Sequence, residues 1–84
     1  MPATPSEPLS LATVVFGQRV RTRRQALGWS QERLAEEAGI HWTYVGQIER
    51  GRRNVTLHNI LRLAQGLGCN PAELVDGLTY DASA

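Results

Sequence analysis

Apolar residues recur along this chain at steps of three and four, and no stretch shows the strict alternation of a half-buried strand. Phe16, Val20, Arg24 and Leu27 share one face of a first helix expected from about Ser10 to Leu27, with Ser10 or Thr13 as cap and Gly28 as stop. Leu34, Ala35 and Ala38 form the buried stripe of a second helix that Ser30 can cap and Gly39 can end. Val45 and Ile48 do the same for a third, starting near His41 and halted at Gly51. Trp29 precedes the Ser30 cap as an apolar lid, and Ile40 can fill the corner after Gly39. Leu57, Ile60, Leu61, Ala64 and Leu67 are the expected inward face of a fourth helix between a Thr56 cap and Gly68. Asn70 and Pro71 start a fifth, which carries Leu74 and Val75 as far as Asp76 before Gly77. The pattern predicts an all-α fold, a compact five-helix bundle over residues 10–78, between an N-terminal tail (1–9) with three prolines and a short C-terminal tail (79–84). Two short helices hinged at a glycine, here the second and third, make a helix-turn-helix.

Composition adds limits. A chain of 84 residues fits one domain with a modest core, too small for a deep catalytic cleft. There is no apolar run long enough to span a membrane and no signal-peptide pattern, so a cytoplasmic location is expected. The single cysteine, Cys69, rules out an internal disulfide framework. His41 and His58 are far apart and lack ligand spacing, and no phosphate loop or paired carboxylates occur. Cys69 reads as a small buried residue before the Asn70 cap. No enzyme activity, metal, cofactor or small-molecule ligand is expected.

Charge alters the picture more. The nine basic residues are all arginine and fall between Arg19 and Arg62, where they face only four acids. A basic centre is the electrostatic footprint of phosphate contact. With Val45 and Ile48 inward, Trp42, Thr43, Gly46 and Gln47 of the third helix are expected to project outward, where a recognition helix meets base edges. Gln47 can pair with adenine through two hydrogen bonds, and Thr43 can bond a base or press its methyl on thymine. Tyr44 can reach a phosphate or the groove. Ser30 and Gln31 sit at the amide-rich start of the second helix, and Arg50, Arg52 and Asn54 follow the third, all placed for backbone contact. Arg24 is a charge on an apolar face and needs a carboxylate or a route to water. Glu49, beside Ile48, is the candidate partner, joining the first and third helices.

The segments RRQALGWSQERLAEEAGI, TYVGQIERGRRNVTL and LAQGLGCNPAELV resemble the Cro and phage-repressor type of helix-turn-helix, the xenobiotic-response-element family of bacterial regulators, over about residues 16–77. The resemblance implies a sequence-specific transcriptional regulator that binds a palindromic double-stranded operator as a homodimer, with the third helix in the major groove. It implies base-facing Trp42, Thr43, Gln47 and Arg53, and a salt bridge like the Arg24–Glu49 pair. The short length and TYVGQIERGRRNVTL look like the controller proteins of restriction–modification systems, although Trp42 stands where controllers often carry a basic residue. The dimer face is expected from Leu74, Val75, Leu78 and Tyr80, and RNA polymerase is a candidate further partner. The rival from another class is a protein-interaction module of antitoxin type, which a broad apolar patch around Trp42 would favour.

Overall fold

The computed structural model describes residues 7–81. Its regular structure is helical: α1 Leu11–Ala26, α2 Gln31–Ala38, α3 Trp42–Glu49, α4 Leu57–Leu67 and α5 Pro71–Val75. Most of the two expected tails, residues 1–6 and 82–84, lie outside the described residues. At its edge the bundle reaches further than the apolar pattern indicates. The backbone N–H of Leu9 donates to the carbonyl of Gly51 at 2.9 Å. Tyr80 and Asp81 line a cleft with Leu9, Ser10, Ala12, Thr13 and Asn54, beside the start of α1.

The helix starts follow from side-chain oxygens placed to accept orphan first-turn amides, an arrangement that stabilises a helix by about 1 kcal/mol each. Ser10 and Thr13 cap α1 reciprocally, Ser30 accepts from the Arg33 N–H, Thr56 from the Asn59 N–H and Asn70 from the Ala72 N–H. Thr13 also reaches beyond its own helix. Its hydroxyl donates to the Gly51 carbonyl at 2.8 Å and ties the start of α1 to the loop after α3.

The core draws on every helix: Phe16 and Val20 of α1, Leu34, Ala35 and Ala38 of α2, Val45 and Ile48 of α3, Leu63, Ala64 and Leu67 of α4, and Leu74 of α5. Three expectations are corrected here. Leu27 is exposed, because α1 ends at Ala26 and Leu27 occupies its C-cap as the chain turns away. Leu57 and Leu61 are also exposed, Leu57 at 72%, and Leu63 is buried in their place. The helix α4 has apolar residues on more than one flank, and its contacts with α2 and α5 select the flank of Leu63, Ala64 and Leu67. Finally, Leu74 is fully buried and belongs to the core rather than to an outer face.

Two glycines sit where helices approach closely, Gly17 at a distance that no side chain permits and Gly66 at one that leaves a side chain little room. A Cβ on Gly17 of α1 would stand 2.2 Å from the Ile48 carbonyl oxygen and 2.8 Å from that of Glu49. One on Gly66 of α4 would lie 3.0 Å from the backbone nitrogen of Ala38. At Gly17 the obstacles are backbone atoms at the end of α3, so no rotamer change relieves them. Gly17→Ala is therefore expected to lower stability by about 1–3 kcal/mol, or roughly 4–8 °C in Tm for each kcal/mol in a domain of this size. Exposed Gln18→Ala is the neighbouring control. A thermal melt of Gly17→Ala superimposing on that of Gln18→Ala would show that α1 and α3 have room to spare.

Candidate nucleic-acid interface

The angle between α2 and α3 is set at Gly39. It takes a left-handed conformation at φ +71° while its N–H caps the Ala35 carbonyl, a backbone state costly for residues with a Cβ. Ile40 continues the turn with its own N–H on the Ala35 carbonyl at 3.0 Å and is half-buried against the core. His41 then caps α3: its Nδ1 accepts from the Thr43 N–H at 3.2 Å and also pairs with the Thr43 hydroxyl. The cap leaves Trp42 at the first position of α3, 52% exposed and stacked on the His41 ring.

The other end of α3 is held by a charge. Glu49 is buried, and both its oxygens are occupied. Arg24 donates from Nε to Oε2 at 2.7 Å and from Nη2 to Oε1 at 3.0 Å, and Gln31 donates from Nε2 to Oε1 at 3.0 Å. The third arm of Arg24, Nη1, donates to the Trp29 carbonyl at 2.7 Å. One carboxylate thus joins α1, the α1–α2 turn, the start of α2 and the end of α3. The bidentate fork is the geometry that makes arginine–carboxylate pairs strong. The Glu49 hydrogen bonds hold the Arg24 pKa above the ordinary guanidinium value despite the opposing effect of burial. The Arg24–Glu49 pairing expected from helical periodicity is therefore present.

Around this anchor the arginines divide. Arg19 donates to the carbonyls of Leu74 and Asp76, closing the end of α5. Arg62 donates to the Gly39 carbonyl, and Arg23 lies 3.8 Å from Glu73. Arg33 pairs with Glu37 one turn on and lies over the Trp29 ring. Arg21, Arg50 and Arg52 form no hydrogen bond or ion pair among the described residues, and they line one cleft with Pro8, Val14, Gln18 and Glu49. Arg21 is absent from the sequence-based set. Its signal is spatial: α1 passes the end of α3, which sequence distance conceals. Arg53 is exposed, donates from Nε to Gln47 Oε1 at 2.6 Å and sits 5.8 Å over the Tyr44 ring.

The remaining candidates fall into two groups. Trp42, Thr43, Arg50, Arg53, Asn54 and Ser30 are exposed, with Gln47, Tyr44 and Arg52 half-buried at the same surface. The Ser30 hydroxyl accepts from the Arg33 N–H and keeps its own proton for another acceptor. The Tyr44 hydroxyl is met at 3.5 Å by the Asn59 amide and is likewise free to donate. Two further positions lie beside the anchor. Gln31 is half-buried at the start of α2, and its amide Nε2 donates to Glu49 Oε1 at 3.0 Å. Gly46, placed on the open face by the pattern, is buried, and a Cβ there would stand 3.1 Å from Arg50 Nη2 and 3.3 Å from Gln31 Oε1. Of the candidate dimer residues, Val75 and Tyr80 are exposed, Leu78 is half-buried and Leu74 is enclosed.

Among the described residues no group of three or more His, Cys, Asp or Glu is placed to hold a metal ion. Cys69 is half-buried, and its thiol pKa is raised mainly by desolvation. No helix of the described residues is long and apolar enough to cross a membrane.

A short capped helix stands on a fixed hinge, with arginines of no internal duty at one end: these features define a helix-turn-helix DNA-binding regulator. The chain belongs to the helix-turn-helix family, whose pattern it matches over residues 20–74. It is 46% identical over 67 residues to control protein C.BamHI of Bacillus amyloliquefaciens, covering 79% of this chain and 83% of that one. The crystal structure of the restriction–modification controller protein C.AhdI from Aeromonas hydrophila matches with a TM-score of 0.72 and 55% identity, over 74% of this chain and 94% of that one. The structure of SinR in complex with DNA, a master regulator of biofilm formation, matches with a TM-score of 0.69 and 31% identity, over 73% and 98%.

Removing Arg24 strands a buried carboxylate, which typically costs about 3–5 kcal/mol. Arg24→Ala is expected to unfold the domain or bring its Tm close to working temperature. Arg24→Lys keeps the charge but loses the fork and should recover only part of the loss. Circular dichroism melts measure both. A stable Arg24→Ala protein would remove the pair from the framework.

Proposed function

We propose that this protein is a cytoplasmic restriction–modification controller that binds a palindromic operator as a homodimer, with α3 of each protomer in a major groove. The observation that carries the reading is the division of the arginines. Five are tied into the fold, Arg53 is bonded to Gln47 of α3, and Arg21, Arg50 and Arg52 gather at the end of α3 with no internal partner among the described residues. Charges that serve stability are paired inside the domain, whereas charges meant for phosphate are left available. The similarity to C.BamHI and C.AhdI supports the controller assignment within the family.

In this arrangement Trp42, Thr43, Gln47 and Arg53 face base edges. Arg50, Arg52, Asn54 and Tyr44, joined by Arg21, hold the flanking backbone. Ser30 and the first amides of α2 take a phosphate on the other side. The indole of Trp42 offers an apolar plate to thymine methyls or to sugars. Two-fold pairing would use Val75, Leu78 and Tyr80, extended by Leu57 and Leu61, which lie one turn apart on the exposed flank of α4. Half-sites are then expected about one helical turn apart.

Selection of bound duplexes from a random pool, followed by sequencing, tests the reading and should yield a two-fold symmetric site. Affinity for that site should fall steeply with salt, because displaced counterions are released on binding. Arg52→Ala should weaken selected and random duplexes by similar factors and flatten the salt dependence by about one unit of slope per protomer. A protein that retains no duplex at low salt while a protein partner co-purifies would favour the interaction-module alternative and overturn the proposal.

A further inference from the structure

We infer that Gln47 and Arg53 act as one base-reading unit that selects guanine rather than adenine, an inference resting on the DNA-binding reading above. A glutamine that reads adenine presents both ends of its amide to the base edge: the carbonyl accepts from N6 and the NH2 donates to N7. In this protein the carbonyl end of Gln47 is already engaged. Its Oε1 accepts from Arg53 Nε at 2.6 Å, a short, charge-assisted bond. Its Nε2 has no hydrogen-bond partner among the described residues, nor do the Nη groups of Arg53.

The geometry is over-determined at Arg53. Its side chain leaves a loop six residues after Gln47, passes over the Tyr44 ring with Cζ 5.8 Å from the centroid, and ends on the Gln47 carbonyl. Tyr44 is itself half-buried against the core, and so forms a fixed shelf. Gln47 and Tyr44 lie three residues apart on α3 and are neighbours on the helix surface. The three side chains therefore compose one polar patch whose free groups are weighted toward donors, Nε2 of Gln47 and the Nη groups of Arg53, with one lone pair of Gln47 Oε1 already taken. Guanine presents two acceptors in the major groove, O6 and N7, whereas adenine presents one acceptor and one donor. The adenine N6 hydrogens would meet a guanidinium charge and a carbonyl already partly satisfied. Guanine satisfies Nε2 of Gln47 and an Nη of Arg53 together. Gln47 alone would favour adenine, and Arg53 inverts that preference by holding the amide.

Duplex selection with the full chain, run in parallel for wild type, Gln47→Ala, Arg53→Ala and the double variant, tests the pair. All four proteins are checked for unchanged thermal midpoints. The wild type should select guanine at one position per half-site, and both single variants should lose that same guanine. Arg53→Ala should shift the position toward adenine as the amide is released. On the selected duplex each single variant should bind roughly 10- to 100-fold more weakly, and the double variant little worse than either, because the pair acts as a unit. Adenine at the Gln47-dependent position in wild type, or losses at two different base pairs, would overturn the inference while leaving the DNA-binding reading intact. So would an Arg53→Ala loss equal on selected and random DNA, which is the signature of a phosphate contact. Failure of the wild type to retain any duplex at low salt would instead remove the reading on which the inference rests.

Discussion

The buried carboxylate of Glu49 is the constraint around which this small domain is arranged. A charge withdrawn from water is tolerated only when its oxygens are fully engaged. Here the engagement comes from two separate pieces of chain, Arg24 on α1 and Gln31 at the head of α2, and the carbonyl of Trp29 holds the third arm of Arg24 in place. Apolar contacts among Leu34, Val45 and Ile48 bring α2 and α3 together, but dispersion and hydrophobic burial are not directional. The fork of hydrogen bonds is directional. It selects one rotation of α3 about its axis, and that rotation decides which of its side chains face outward.

Backbone contact completes what the charge begins. With Gly17 of α1 against the carbonyls of Ile48 and Glu49, the end of α3 is pressed onto α1 at a distance a side chain would forbid. Gly46 lies beneath the Arg50 and Gln31 side chains, beside the anchor. Four consecutive residues of this stretch take four different directions. Gln47 is half-buried at the outer surface, Ile48 lies in the core, Glu49 meets the Arg24 fork and Arg50 is exposed. The 3.6-residue period makes such interleaving possible.

That interleaving also explains which features could be read from sequence. Element order, caps and most of the core were legible because each rests on local chemistry: Ser30, Thr56 and Asn70 cap, glycines stop, and Leu34, Ala35, Ala38, Val45 and Ile48 keep helical spacing. The Arg24–Glu49 pair was legible as a problem, an arginine on an apolar face, with one nearby solution. The flank of α4 was not, because Leu57, Leu61 and Leu63 all suit a core until the positions of α2 and α5 are known. Gly46 misled for the same reason, since periodicity placed it on an open face while the side chains of Arg50 and Gln31 cover it. Arg21 is invisible to any local rule, since its neighbours Arg50 and Arg52 are far along the chain.

Specificity can change in such a scaffold without disturbing the fold. The residues that hold the angle are buried or doubly bonded, and substitution at Gly17, Arg24 or Glu49 is expected to destabilise the whole domain. Trp42, Thr43, Gln47 and Arg53 touch little of the core, so they can vary at small cost in stability. Relatives at 31% and 55% identity with TM-scores of 0.69 and 0.72 show how similar the backbone remains as identity falls. The framework fixes the position of α3, and a few side chains decide what it reads. Gln47 and Arg53 bond one another, and on the inference above the pair rather than the single residue is the unit that would determine base preference.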